Sequence, residues 1–131
     1  MGGNNLKKLA ALAFFVFLVV VAYWADSGTM PAPLKLVYAF PNGDRLGHFV
    51  LYGVLAFLLN AALPGRRISI GRGSLPLGAF IAALFAALEE LSQFFFPHRT
   101  PDLVDLACGW LGIAVVTYLQ RMRRRPEKGL P

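Results

Sequence analysis

The chain has 131 residues, 56% of them hydrophobic and 15% charged, with a formal net charge of +6 and a mean hydropathy of +0.56. That balance excludes a disordered tail, which cannot be so apolar, and a water-soluble domain, which does not string together apolar runs this long. The one cysteine, Cys108, tells nothing about disulfides.

A helix needs about 20 residues to cross a hydrocarbon layer of about 30 Å. Four apolar runs of that order follow one another with short connections, and they predict an all-α polytopic membrane protein: one domain over residues 1–131, a bundle of about four transmembrane helices. The helices are expected over about 7–25, 45–63, 75–96 and 102–120, with a basic tail over 121–131. Backbone groups in lipid must be bonded within their own segment, so helices are the form such runs take. The first run, Leu9 to Ala25, is uncharged and follows Lys7 and Lys8. It is too long for a signal-peptide core, and Tyr23 and Trp24 stand where small residues would be needed for cleavage, so it reads as a membrane helix with interfacial aromatic anchors. Between Asp26 and Gly43 lies a loop with three prolines and an apolar patch of Leu34, Leu36, Val37, Tyr38 and Phe40, expected at the membrane interface as a linker or a lid. The second run, Leu46 to Leu63, carries His48 and Asn60. The third ends in Glu89, Glu90, Ser92 and Gln93, and the fourth opens with Asp105 and is spotted with Gly109 and Gly112.

Basic residues set orientation, because Lys and Arg near segment ends stay on the cytoplasmic side. Lys7, Lys8, Arg66, Arg67, Arg72, Arg121, Arg123, Arg124, Arg125 and Lys128 fall on one side; Lys35, Arg45 and Arg99 fall on the other. Four crossings with both termini cytoplasmic follow, in a cytoplasmic (inner) membrane. The high pI then needs no nucleic-acid partner, although the basic tail suits anionic lipid head groups.

In this topology Asp44, His48, Glu89, Glu90, Gln93, Arg99, Asp102 and Asp105 all meet at the outer level, and ionisable groups placed in membrane segments mark functional sites by default. Asp44, His48 and Tyr52 recur every four residues, one stripe on one helix. Gln93 can neighbour Glu89 or Glu90, but the two Glu diverge by about 100° around the axis, so at most one points fully inward. Asp102, Asp105, Gly109 and Gly112 share a face, and the small residues should draw that face into the bundle. The turn 97–101, with Pro97 and Pro101 at its ends, holds Arg99 near the carboxylates. His98 reads as solvent-exposed, Cys108 as packing, and Phe94, Phe95 and Phe96 as interfacial.

The strings Asp44-Arg45-Leu46-Gly47-His48-Phe49-Val50-Leu51-Tyr52 and Glu89-Glu90-Leu91-Ser92-Gln93, then Pro97-His98-Arg99-Thr100-Pro101-Asp102-Leu103-Val104-Asp105 with Gly109 and Gly112, resemble the VanZ-like family of small bacterial membrane proteins. The resemblance covers roughly positions 40–120. It implies about four transmembrane helices, a place in the cell envelope, and a link to low-level resistance to the glycopeptide antibiotic teicoplanin. Family members often carry Asn where this chain has Gly109.

Three functions fit the polar set. As a binding or envelope-modifying protein, it would recognise a lipid-linked cell-wall or polysaccharide precursor, a lipid head group or an antibiotic without chemical change, with Arg99 on an anionic group and the carboxylates on cationic or hydroxyl groups. As an enzyme, a buried carboxylate would act as general acid or base, His48 would share a proton with Asp44, and Arg99 would hold a lipid-linked phosphate, with a bridging divalent cation as a variant. As a structural network, Asp102 and Asp105 would neutralise Arg99 and cap the fourth helix while Glu90 pairs with His48. No nucleophile motif or phosphate-cradling glycine loop is present, no catalytic residue is assigned, and the sequence requires no cofactor.

Overall fold

The computed structural model describes residues 2–97 and 99–124. Helix α1 (Gly2–Ser27) is followed by a short α2 (Ala32–Ala39), then α3 (Gly43–Ala62), a hairpin of β1 (Arg67–Ile70) and β2 (Gly73–Pro76), α4 (Leu77–Ser92) ending in a 3-10 turn (Gln93–Phe95), and α5 (Leu103–Arg124). α1, α3, α4 with its 3-10 turn, and α5 are each long and apolar enough to cross a membrane. The expected all-α polytopic bundle is therefore present.

The burial pattern is that of a bundle dissolved in lipid. Leu9, Phe17, Val50, Phe57, Leu84, Leu88, Leu111 and Leu119 are exposed, whereas the interior is built largely from Ala11, Ala56, Ala62, Ala79, Ala82 and Ala86. Between lipid-soluble helices there is no hydrophobic gain from burying Leu rather than Ala, and small residues let backbones approach and add dispersion contacts. α3 and α5 make the most extensive pair. A Cβ on Gly112 would run into the backbone carbonyl of Phe49, and one on Gly53 would lie 3.3 Å from Val116 Cγ2. On the other side of α3, a Cβ on Gly78 at the start of α4 would lie 2.6 Å from the Asn60 backbone nitrogen. Trp110 Nε1 donates to the Ala83 carbonyl at 3.0 Å and ties α5 to α4.

Three elements depart from the sequence expectation. The third helix begins at Leu77 rather than near residue 75, because Leu75 and Pro76 belong to β2. Ile68 and Ile70 alternate with Arg67 and Ser69, and Gly71, at φ 58°, opens the two-residue loop between Ile70 and Gly73. Arg67 Nε donates to Ser74 Oγ across the pair, and the Leu77 amide bonds the Arg66 carbonyl, so strand pairing passes directly into α4. In the proline-rich stretch, Pro31 and Pro33 do not prevent a helix but start one, since the first turn needs no amide donors. α5 runs on to Arg124, so the first residues of the expected tail are helical; Arg125, Lys128 and His98 lie outside the described residues.

Candidate functional site

Each helix brings its polar residues to one end of the bundle by a periodic stripe. On α4, Ala82, Ala86 and Glu90 are four apart and all buried, and Gln93 follows three later. Glu90 thus continues the inward stripe with 4% of its surface exposed, and Gln93 with 2%. Glu89 lies round the helix and accepts a hydrogen bond from the Tyr52 hydroxyl of α3. On α3, His48, Tyr52, Ala56 and Asn60 form the corresponding buried stripe. On α5, it is Asp105, Gly109 and Gly112.

Most acceptors at this end serve the fold. The Asp102 amide donates to Glu90 Oε1, and Gln93 Nε2 lies 3.5 Å from Glu90 Oε2. Asp102 also caps α5, its Oδ1 accepting the Val104 amide at 2.8 Å. Asp105 adds a carboxylate in the first turn, where the helix dipole favours one. His48 Nδ1 lies 2.7 Å from the backbone carbonyl of Asp44. A carbonyl only accepts, so Nδ1 carries a proton and donates this bond. The proton sharing expected with the Asp44 carboxylate is replaced by this backbone bond. The His48 ring stacks on Tyr52 at 5.8 Å, and His48 is within electrostatic reach of Glu90 and Asp105.

The ion pairs differ from those expected. Arg99 Nε faces Asp26 Oδ1 of α1 at 3.5 Å, not Asp102 or Asp105. Those two are met instead by Arg45 of α3, at 3.8 and 3.9 Å. Asp26 and Arg45 are the site residues that sequence reasoning missed. The signal was there for both: Asp26 follows the first apolar run at the same end of the bundle, and Arg45 adjoins Asp44 in the first turn of its helix. Asp26, Asp44, Glu89, Glu90, Asp102 and Asp105 therefore share this end with Arg45, Arg99 and the exposed Lys35 of α2, an excess of acidic over basic groups with both guanidinium groups facing carboxylates.

Two cavities flank the network. A void of about 20 Å³ among His48, Tyr52, Glu89 and Leu18 has room for about one water. Next to it, sharing Val21 and Leu51, lies a cavity of about 380 Å³ whose wall is apolar and includes Leu34 of α2 and Phe40 beyond it. Among the described residues, no group of three or more His, Cys, Asp and Glu side chains is arranged to hold a metal ion.

The fold and site together define a class: a multi-pass, all-α bundle with its carboxylates gathered at one end. Compared with family models, curated proteins and solved structures, the chain matches none.

Proposed function

We propose that the protein is a VanZ-like integral membrane protein of the bacterial inner membrane, with both termini cytoplasmic. Its outward-facing polar end binds or acts on a lipid-linked cell-envelope component and so gives low-level glycopeptide tolerance. The observation that carries this reading is the adjacency of the 380 Å³ apolar cavity beneath α2 to the carboxylate network. An amphiphile fits such a place, its apolar part under Leu34 and Phe40 and its polar part toward His48 and Glu89. Six acidic side chains against Arg45, Arg99 and Lys35 favour hydroxyl or amine groups over phosphate as that polar part, and both arginines already face carboxylates.

A second reading, acid–base chemistry on the same component, draws on His48, whose Nδ1 donates to the Asp44 carbonyl and which stands within electrostatic reach of Glu90. The test for both is a cell assay scoring membrane abundance and teicoplanin susceptibility together. Glu89→Gln and Glu90→Gln should accumulate normally and lose the protection conferred by the unaltered protein. Loss of abundance instead would make the network purely structural. Orientation is tested by Thr100→Cys in a Cys108→Ala background, which should react with an impermeant thiol reagent in intact cells.

A further inference from the structure

The opposite end of the bundle has a different chemistry. A cavity of about 300 Å³ lies where α3 passes into the hairpin and faces the last turns of α5, and it is lined by Arg66, Arg67, Arg121 and Arg124. Its polar floor is Asn60, Thr117 and Gln120: Asn60 Nδ2 donates to Thr117 Oγ1 at 3.1 Å and to Gln120 Oε1 at 2.9 Å, and Gln120 Nε2 donates to the Phe57 carbonyl at 3.1 Å. Arg67 is fixed over the cavity by Ser74. Every carboxylate among the described residues sits at the far end of its helix, so none neutralises these arginines, and none of the four forms an ion pair among the described residues. Four exposed guanidinium groups around one cavity make a cationic wall, and an anion bound between them would gain charge-assisted hydrogen bonds and relieve their mutual repulsion.

The surface beside this cavity says what carries that anion. A mostly apolar groove of about 480 Å³ between α1, α3 and α5 shares Gln120 and Arg124 with it. A further apolar hollow of about 350 Å³, sharing Phe57, continues along α3 toward Gly53 and Val50. The arginine-lined cavity thus adjoins a groove, and the groove an apolar hollow, in a row along α3 running toward the middle of the membrane segments. A free anion would use only the first part; a lipid would use all of it.

We propose that the arginine-walled cavity binds the phosphate head group of an anionic phospholipid, whose acyl chain lies in the apolar track along α3. The site is distinct from the carboxylate end and does not depend on what that end binds. Arg66 and Arg121 approach from different elements and clamp the phosphate, while Asn60, Thr117 and Gln120 offer a hydrogen-bonding floor to head-group hydroxyls.

The test uses the full chain in a neutral detergent, with thermal unfolding followed while short-chain phosphatidylglycerol, phosphatidylcholine of the same chain length, or glycerol phosphate is added. Phosphatidylglycerol should raise Tm saturably and phosphatidylcholine should not. Arg66→Gln with Arg121→Gln should raise the half-saturating lipid concentration about 30-fold, from the attraction each basic residue contributes near an anionic head group. Lys8→Gln with Arg72→Gln removes as much charge from the same end but none from the cavity wall, and should leave that concentration nearly unchanged. Equal losses in the two pairs would overturn the proposal in favour of a diffuse field. Equal stabilisation by phosphatidylcholine, or the full effect from glycerol phosphate alone, would overturn it too. If the first pair fails to accumulate, Arg124→Gln alone carries the test, with an expected loss of about fivefold.

Discussion

Replacing Asp26 by Asn leaves the Arg99 guanidinium facing a neutral amide in a place where only 19% of its side chain meets the surface. At 3.5 Å, opposite unit charges attract by about 5 kcal/mol in a medium of effective dielectric constant about 20. Desolvation offsets part of that, and removing one member of a buried pair typically costs about 3–5 kcal/mol. Asp26→Asn and Arg99→Gln should each fall near the lower bound, because neither side chain is fully enclosed. The double variant should cost less than the sum of the two, leaving a coupling of about 2 kcal/mol or more. Arg99 Nε is buried without a hydrogen bond, so the attraction is one of charge rather than of a directed fork. Arg99→Lys should therefore keep most of the stability. Reversible unfolding in mixed micelles of sodium dodecyl sulfate and a neutral detergent measures all four variants. Additive single costs would refute the pairing, and an Arg99→Lys loss as large as that of Arg99→Gln would refute its charge-only character.

At Gly112, alanine places its Cβ against the Phe49 carbonyl, which is backbone and cannot rotate away; a loss of about 1–3 kcal/mol is expected in the same unfolding assay. Gly109→Ala meets only the Tyr52 ring at 3.2 Å, a side chain able to shift by tenths of an ångström, and should cost clearly less. Asn60→Ala removes two interhelical bonds and should destabilise by about 1–2 kcal/mol, whereas Thr117→Val removes one acceptor and should cost about 0.6 kcal/mol. Trp110→Phe keeps the ring contact but frees the Ala83 carbonyl of its second partner, a predicted loss of about 0.5–1.5 kcal/mol that circular dichroism melts would read.

The four long helices were legible because lipid makes a coarse demand, about 20 apolar residues, that four runs meet. The inward faces were legible at His48 and Gly112 because four- and three-residue spacing fixes them on one side of a helix, whereas the spacing said only that at most one of Glu89 and Glu90 points inward, not that it is Glu90. Pair identity was not. Arg99 lies within a few residues of Asp102 and Asp105 in sequence and Arg45 beside Asp44 alone, and which meets which depends on how α1, α3 and α5 pack, a non-local matter. α2 was hidden by its prolines, which mark a helix start as readily as a loop. The hairpin was hidden by its brevity: alternation over four residues is too short to outweigh the apolar run that begins at Leu75. The arginine-walled cavity was legible only as a topology signal, since nothing in the spacing of Arg66, Arg67, Arg121 and Arg124 says that α3 and α5 end side by side.

Carboxylates at one end and arginines at the other make the bundle a large fixed dipole along its own axis. A membrane polarised negative on the arginine side lowers the energy of this arrangement and raises that of the inverted one, by about 2.3 kcal/mol for each unit charge carried across 100 mV. Carboxylates that merely joined helices could have sat at any depth. Gathered where they are, they also make an energised membrane a force that keeps the molecule the right way up.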